Sequence, residues 1–199
     1  IRRKSKIEED LEYYSVLRAM KAIGRADVCV MMLDAVEGLT DQDKRIAGIA
    51  HEEKKPLIIC VNKWDLLEKD NKTMKKFEEG LRVDLPFLSY APILFISAFT
   101  GQRVLNILKM ANHIYEEYTK RISTGLLNSV LKDAIAVNEP PTRKGRAIKI
   151  NYATQIFAIF CNHPDLLHFS YIRYLENKFR EAFGFEGCPI EFVVNKKND

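Results

Sequence analysis

At 199 residues, 47% hydrophobic and 29% charged, the chain can bury a sizeable core in one or two globular units, and a disordered protein is excluded. No apolar run approaches the roughly 20 residues of a membrane span, and Ile1-Arg2-Arg3-Lys4-Ser5-Lys6 leads into no apolar signal core, so a soluble cytoplasmic protein with no membrane partner is expected. The net charge of +4 is uneven: residues 1–119 balance 19 basic against 19 acidic side chains, whereas residues 120–199 carry 12 basic and 8 acidic. A basic C-terminal unit points towards nucleic acid, although a solvated surface holds so modest an excess without any partner.

Residues 1–6 read as an unstructured basic lead, and Glu8, Glu9 and Asp10 suit the first turn of a helix over residues 11–23 that Gly24 stops. Residues 28–33 form a strand ending at Asp34, and Thr40-Asp41-Gln42-Asp43 opens a helix running to Ala50. The plan repeats with a strand over 56–62, a helix over 72–81, a strand over 92–96 and a helix over 104–118. That last helix carries Val104, Ile107, Leu108, Ala111, Ile114, Tyr115 and Tyr118 as one apolar stripe. Alternating strands and helices predict an α/β fold with a parallel sheet.

The remainder follows another plan. A helix over 124–137, apolar at Leu127, Val130, Leu131, Ala134 and Ile135, is stopped by Asn138-Glu139-Pro140-Pro141. A basic loop then offers Arg143, Lys144 and Arg146 as candidates for phosphate contacts. Strands over 148–155 and 156–161 precede a helix that Ser170 caps and Gly184 follows, with Ile172, Leu175, Phe179 and Phe183 as its apolar face. A last strand spans 189–194, so the order is α-β-β-α-β, an open α+β sandwich, in which Tyr152, Phe157 and Phe160 read as sheet packing. Cys29, Cys60, Cys161 and Cys188 lack the spacing of a zinc site or redox dithiol and read as reduced thiols. His51, His113, His163 and His168 have no companion at metal spacing, so no metal ligand is assigned within the chain.

Chemistry concentrates after the strand Pro56-Leu57-Ile58-Ile59-Cys60-Val61, which runs straight into Asn62-Lys63-Trp64-Asp65. Ligands of open α/β sheets bind at the carboxyl ends of such strands. An ionised carboxylate only accepts hydrogen bonds, so Asp65 suits the guanine edge, which offers N1–H and N2–H together; adenine offers no such pair. Asn62 either reads O6 or ties neighbouring loops together, and the Lys63 stem can lie over the purine ring. The alternative is a polar strand-to-helix turn capped by Asp65. The strand over 92–96 ends likewise in Ser97-Ala98, followed by Phe99-Thr100-Gly101.

Asn62-Lys63-Trp64-Asp65 and Ser97-Ala98, with Leu33-Asp34-Ala35 and Gly38-Leu39-Thr40-Asp41-Gln42-Asp43, resemble the second GTPase domain of the Der (EngA) family of bacterial ribosome-biogenesis GTPases. Ser170-Tyr171-Ile172-Arg173-Tyr174-Leu175-Glu176-Asn177 and the Phe185, Gly187, Pro189-Ile190 pattern resemble that family's KH-like domain. The resemblance implies a P-loop GTPase-type parallel sheet with flanking helices over residues 1–119, lacking its N-terminal strands, followed by a KH-like domain over 120–199. It implies Asn62, Lys63, Asp65, Ser97 and Ala98 as contacts to GTP or GDP, with a backbone N–H of the Ser97-Ala98 loop meeting the base. It also implies assembly of the large ribosomal subunit, contact with ribosomal RNA, and packing against an upstream GTPase domain of the same polypeptide.

The family's phosphate-binding loop Gly-x-x-x-x-Gly-Lys-Ser and its Asp-Thr-Ala-Gly motif do not occur here, so the Mg²⁺ ligands are expected upstream of residue 1 and no residue is assigned as catalytic. Asp34 ends the strand after the metal-binding one in the family's order and is given a structural role. The Gly-x-x-Gly loop of RNA-binding KH domains is absent from residues 120–199. Two functions follow from the sequence: a GTPase switch whose hydrolysis needs the complete protein, or a non-enzymatic RNA- or protein-binding module on a nucleotide-type scaffold. A dinucleotide enzyme is disfavoured, since no Gly-x-Gly-x-x-Gly follows any strand.

Overall fold

The computed structural model describes residues 2–68, 70, 72–140, 142, 148–153 and 157–196. The chain separates into two compact units: Ile1–Tyr118 with Glu186–Pro189, and Thr119–Phe185 with Ile190–Asp199.

The first unit holds a parallel sheet of β1 (Cys29–Asp34), β2 (Leu57–Asn62) and β3 (Ile93–Phe95), in that spatial order. The middle strand is buried on both faces, as its uninterrupted apolar run requires. Its flanking helices are α1 (Arg2–Arg25), α2 (Asp41–Glu52), α3 (Thr73–Asp84) and α4 (Leu105–Thr119). A capping box starts α2: the Thr40 hydroxyl accepts the Asp43 N–H at 3.2 Å, while the Asp43 carboxylate accepts the Thr40 N–H at 3.0 Å. The core joins Leu33, Ala47, Ala50, Leu57, Ile59 and Val61 to Leu81, Leu85 and Leu88.

Two expectations for this unit change. The basic lead is helical, because α1 already begins at Arg2; its Arg, Lys and Glu are good helix formers and no glycine intervenes before Gly24, which α1 absorbs in its last turn. Glu8, Glu9 and Asp10 consequently lie inside the helix rather than in its first turn. The stripe on α4 is also wider than the surface that covers it: Ile114 is buried, whereas Leu108, Tyr115 and Tyr118 remain exposed.

The second unit runs α5 (Thr124–Val137), β4 (Ile150–Ala153), β5 (Ala158–Cys161), α6 (Phe169–Phe183) and β6 (Val193–Lys196). The α-β-β-α-β order is present, with β4 antiparallel and β6 parallel to the central β5. Ser123 caps α5 by accepting the Leu126 N–H, and Leu127, Leu131 and Ala134 turn inward. Phe179 is fully buried and meets Phe192 edge-on at 5.0 Å, while Phe157 packs at 5.4 Å on Phe185, as sheet packing rather than an open stacking surface.

His168, not Ser170, caps α6. Its extended backbone fits the cap position and its ring Nδ1 accepts the Ser170 N–H at 3.3 Å, which places Ser170 within the first turn. The last strand starts late, at Val193, because Pro189 has no N–H to donate and Ile190 and Phe192 are buried before pairing begins. The loop carrying Arg143, Lys144 and Arg146 lies outside the described residues. All four cysteines are free, and burial pushes the Cys60 thiol up to about 11, which keeps it protonated and inert.

Candidate nucleotide-base site

The site is assembled where β2 and β3 end. Asn62 is the last residue of β2, and Lys63 turns the chain through a left-handed conformation (φ 59°, ψ 28°) into a single 3₁₀ turn, Trp64–Leu66. That turn is anchored twice. The Trp64 N–H donates to the Ile96 carbonyl at 3.0 Å, and the indole is buried against Phe95 at 4.4 Å and Phe77 at 5.7 Å. The Ile96 N–H donates to Val61 at 2.9 Å, so the two strand ends leave the sheet in step.

Of the five residues expected from the sequence, Asn62 closes β2, and Lys63, Asp65, Ser97 and Ala98 fall on the two adjoining loops. Asn62 ties the loops together: its Oδ1 accepts the Ala98 N–H at 2.9 Å. Ser97 is fully buried, donating its N–H to the Gln102 carbonyl at 3.1 Å and accepting the Thr100 N–H on Oγ at 3.1 Å. Gly101, at φ +77°, allows the tight return those bonds need. Phe99, one residue beyond Ala98, is 95% exposed.

Asp65 stands apart from this network. Its Oδ1 is buried yet has no hydrogen-bond partner among the described residues. An unpaired buried carboxylate oxygen costs on the order of 1–3 kcal/mol or more, so the site suits a ligand that brings N–H donors.

A contact that sequence reasoning missed borders the site. The Lys63 ammonium lies 2.5 Å from Asp34 Oδ2, at the end of β1, whose Cα is paired in register with Asn62. The lysine hydrogen bond, followed by that of the Val36 N–H, holds the Asp34 carboxyl below its usual range, and the same carboxylate raises Lys63 above its own. The signal available in the sequence was an acidic residue closing one strand beside a basic residue following the next. Neither strand order nor register was known to connect them. Among the described residues, no group of three or more His, Cys, Asp or Glu is placed to hold a metal ion.

Both units of the chain match known families. Residues 15–117 match the elongation factor Tu GTP binding domain, and residues 121–195 match the KH-domain-like C-terminal unit of EngA bacterial GTPase enzymes. The chain is 69% identical to GTPase Der of Fusobacterium nucleatum subsp. nucleatum and 56% identical to GTPase Der of Caldanaerobacter subterraneus subsp. tengcongensis, covering all of this chain and 47% of each relative. It thus spans about half the length of the curated relatives it matches. Among solved structures, Era in complex with MgGDPNP and nucleotides 1506–1542 of 16S ribosomal RNA superposes with a TM-score of 0.42 at 17% identity, over 89% of this chain and 67% of that one. The chain therefore belongs to the family of elongation factor Tu-type GTP-binding domains, joined here to a KH-domain-like unit of the EngA type and similar throughout to GTPase Der.

Proposed function

We propose that this chain carries the guanine-reading half of a GTPase switch that acts in assembly of the large ribosomal subunit. The observation that carries the reading is the buried, unpartnered Oδ1 of Asp65. Asp65 accepts the N1–H and N2–H of guanine, Asn62 holds the Ser97-Ala98 loop beside it, and the Lys63 stem lies against the ring. This arrangement selects the base, because a purine without both donors leaves the carboxylate unpaired. GTP hydrolysis belongs to the whole protein, in which a phosphate-binding loop and Mg²⁺ would supply positioning and charge stabilisation at the phosphates. The KH-like unit supplies contact with ribosomal RNA, and the nucleotide state governs docking. Relatives named GTPase Der and the match to a GTP-binding domain support this reading.

The test is a titration of the full-length protein with GDP and XDP, comparing wild type with Asp65→Asn. Xanthine replaces the guanine amino group by a carbonyl, with which an asparagine amide pairs and a carboxylate does not. Wild type is expected to prefer GDP, and Asp65→Asn to prefer XDP. A folded wild type without GDP preference, or a mutant that retains it, would refute the assignment and leave a scaffold that binds RNA or protein.

A further inference from the structure

Lys63 is joined to the site by more than sequence. Its backbone leaves β2 in the left-handed region, and its ammonium reaches back to Asp34 across the carboxyl edge of the sheet. The carboxylate that receives it is itself fixed. Asp34 Oδ1 accepts the N–H of Val36 at 2.8 Å, and the Asp34 carbonyl accepts the N–H of Gly38 at 2.9 Å, so the group is held in a tight turn at the end of β1. Glu37, in the same turn, donates its N–H to the same Oδ1 at 3.4 Å.

We propose that Asp34 is a positioning residue for the nucleotide: by anchoring the Lys63 ammonium it lays the lysine's methylene stem along the strand ends as a preformed platform for one face of the purine. This rests on the guanine reading given above. A lysine has one of the most mobile side chains, and an unanchored stem loses that freedom only when the base arrives; an anchored one has already lost it. The device acts on the ring face and leaves discrimination at the N1 and N2 edge to Asp65. Asp34 and Asp65 therefore separate into affinity for purines and choice among them.

The experiment measures GDP and IDP binding to the full-length protein carrying Asp34→Asn, Lys63→Met, or both. Asparagine keeps an oxygen for the Val36 N–H, so the turn is retained while the charge is removed; methionine keeps an apolar stem without an ammonium. Inosine lacks the guanine amino group, so the GDP-to-IDP ratio reports edge recognition. Asp34→Asn is expected to weaken GDP and IDP alike by about three- to tenfold, with the ratio unchanged. In the Lys63→Met background it is expected to have no further effect. Affinity within twofold of wild type for Asp34→Asn, an undiminished effect in the Lys63→Met background, or a collapsed GDP-to-IDP ratio would each overturn the inference. A wild type that does not prefer GDP to IDP refutes the guanine reading itself, whereas a neutral Asp34→Asn in a GDP-selective wild type refutes only the positioning role.

Discussion

Replacing Gly187 with alanine probes how far the first unit depends on a tetrapeptide remote from it in sequence. Glu186–Pro189 belongs to that unit, where Gly187 donates its N–H to the Tyr90 carbonyl at 2.9 Å and accepts the Leu57 N–H at 2.9 Å. Its φ is +69°, which costs an alanine about 1–2 kcal/mol. A Cβ there would lie 2.3 Å from Ile114 Cδ1 and 2.6 Å from Cγ1, inside any real contact distance, and Ile114 is itself fully buried. Such overpacking adds about 1–3 kcal/mol, for a destabilisation of about 2–5 kcal/mol in all. Urea unfolding followed by the fluorescence of Trp64, the single tryptophan and a buried residue of the same unit, measures it directly. With a slope near 2 kcal/mol per molar, the midpoint should fall by about 1–2.5 M. Gly80→Ala is the control, since a Cβ there meets nothing within 4 Å and its helical site in α3 should gain up to about 1 kcal/mol. Ile114→Val, which removes the nearest atom, should recover part of the loss in the Gly187→Ala background. Equal midpoints for the two alanine variants, or no recovery with valine, would refute the packing argument.

Loss of the α2 cap is expected to be smaller. Thr40→Ala removes the acceptor of the Asp43 N–H and should cost about 1 kcal/mol in the same urea assay, whereas Thr40→Ser should stay within a few tenths. In the second unit, burial pushes the Tyr171 hydroxyl from 10.0 up to about 12, and that hydroxyl donates to the Asn138 carbonyl at 2.5 Å. A raised folded value means that Tyr171 contributes its full stability below pH 10 and loses it as the pH rises through the window to about 12. Unfolding of wild type should steepen across that window, and Tyr171→Phe, weaker by about 1 kcal/mol at neutral pH for the lost bond, should remove that steepening.

Local signals were legible where one stretch of chain decided the outcome. The helix expected over residues 124–137 is α5 to the residue, because Ser123 caps it and Asn138 ends it ahead of two prolines. The parallel sheet followed from apolar runs alternating with amphipathic ones, and β2 from a run long enough only for a buried strand. Placement of Asn62 at the end of one strand, and of Lys63, Asp65, Ser97 and Ala98 on the loops after two strands, could be read in the same way. What could not be read depended on partners distant in sequence. The tie from Asn62 to the next loop turned on the position of Ala98, the pairing of Lys63 with Asp34 on strand order, and the use of Gly187 on the place of Ile114. The α6 cap failed for another reason. Ser170 is a strong N-cap residue by type, but His168 provides the extended backbone and an acceptor two residues earlier.

These long-range contacts share one strand. β2 is almost wholly withdrawn from water, so its position is set by packing on both faces and by what grips its two ends. At the start, the Leu57 N–H is held by Gly187 and the preceding Pro56 carbonyl accepts the Cys29 N–H at 2.7 Å; at the end, the Asn62 carbonyl accepts the Ala35 N–H at 2.9 Å and its side chain holds Ala98. The same tetrapeptide also reaches Tyr90, ahead of β3, and Ile114 on α4. A carboxylate that discriminates by hydrogen bonding needs its loop placed to within a fraction of an ångström, and a short 3₁₀ turn cannot supply that rigidity alone. A buried strand held by hydrogen bonds at both ends supplies the firm base from which the turn carrying Asp65 departs.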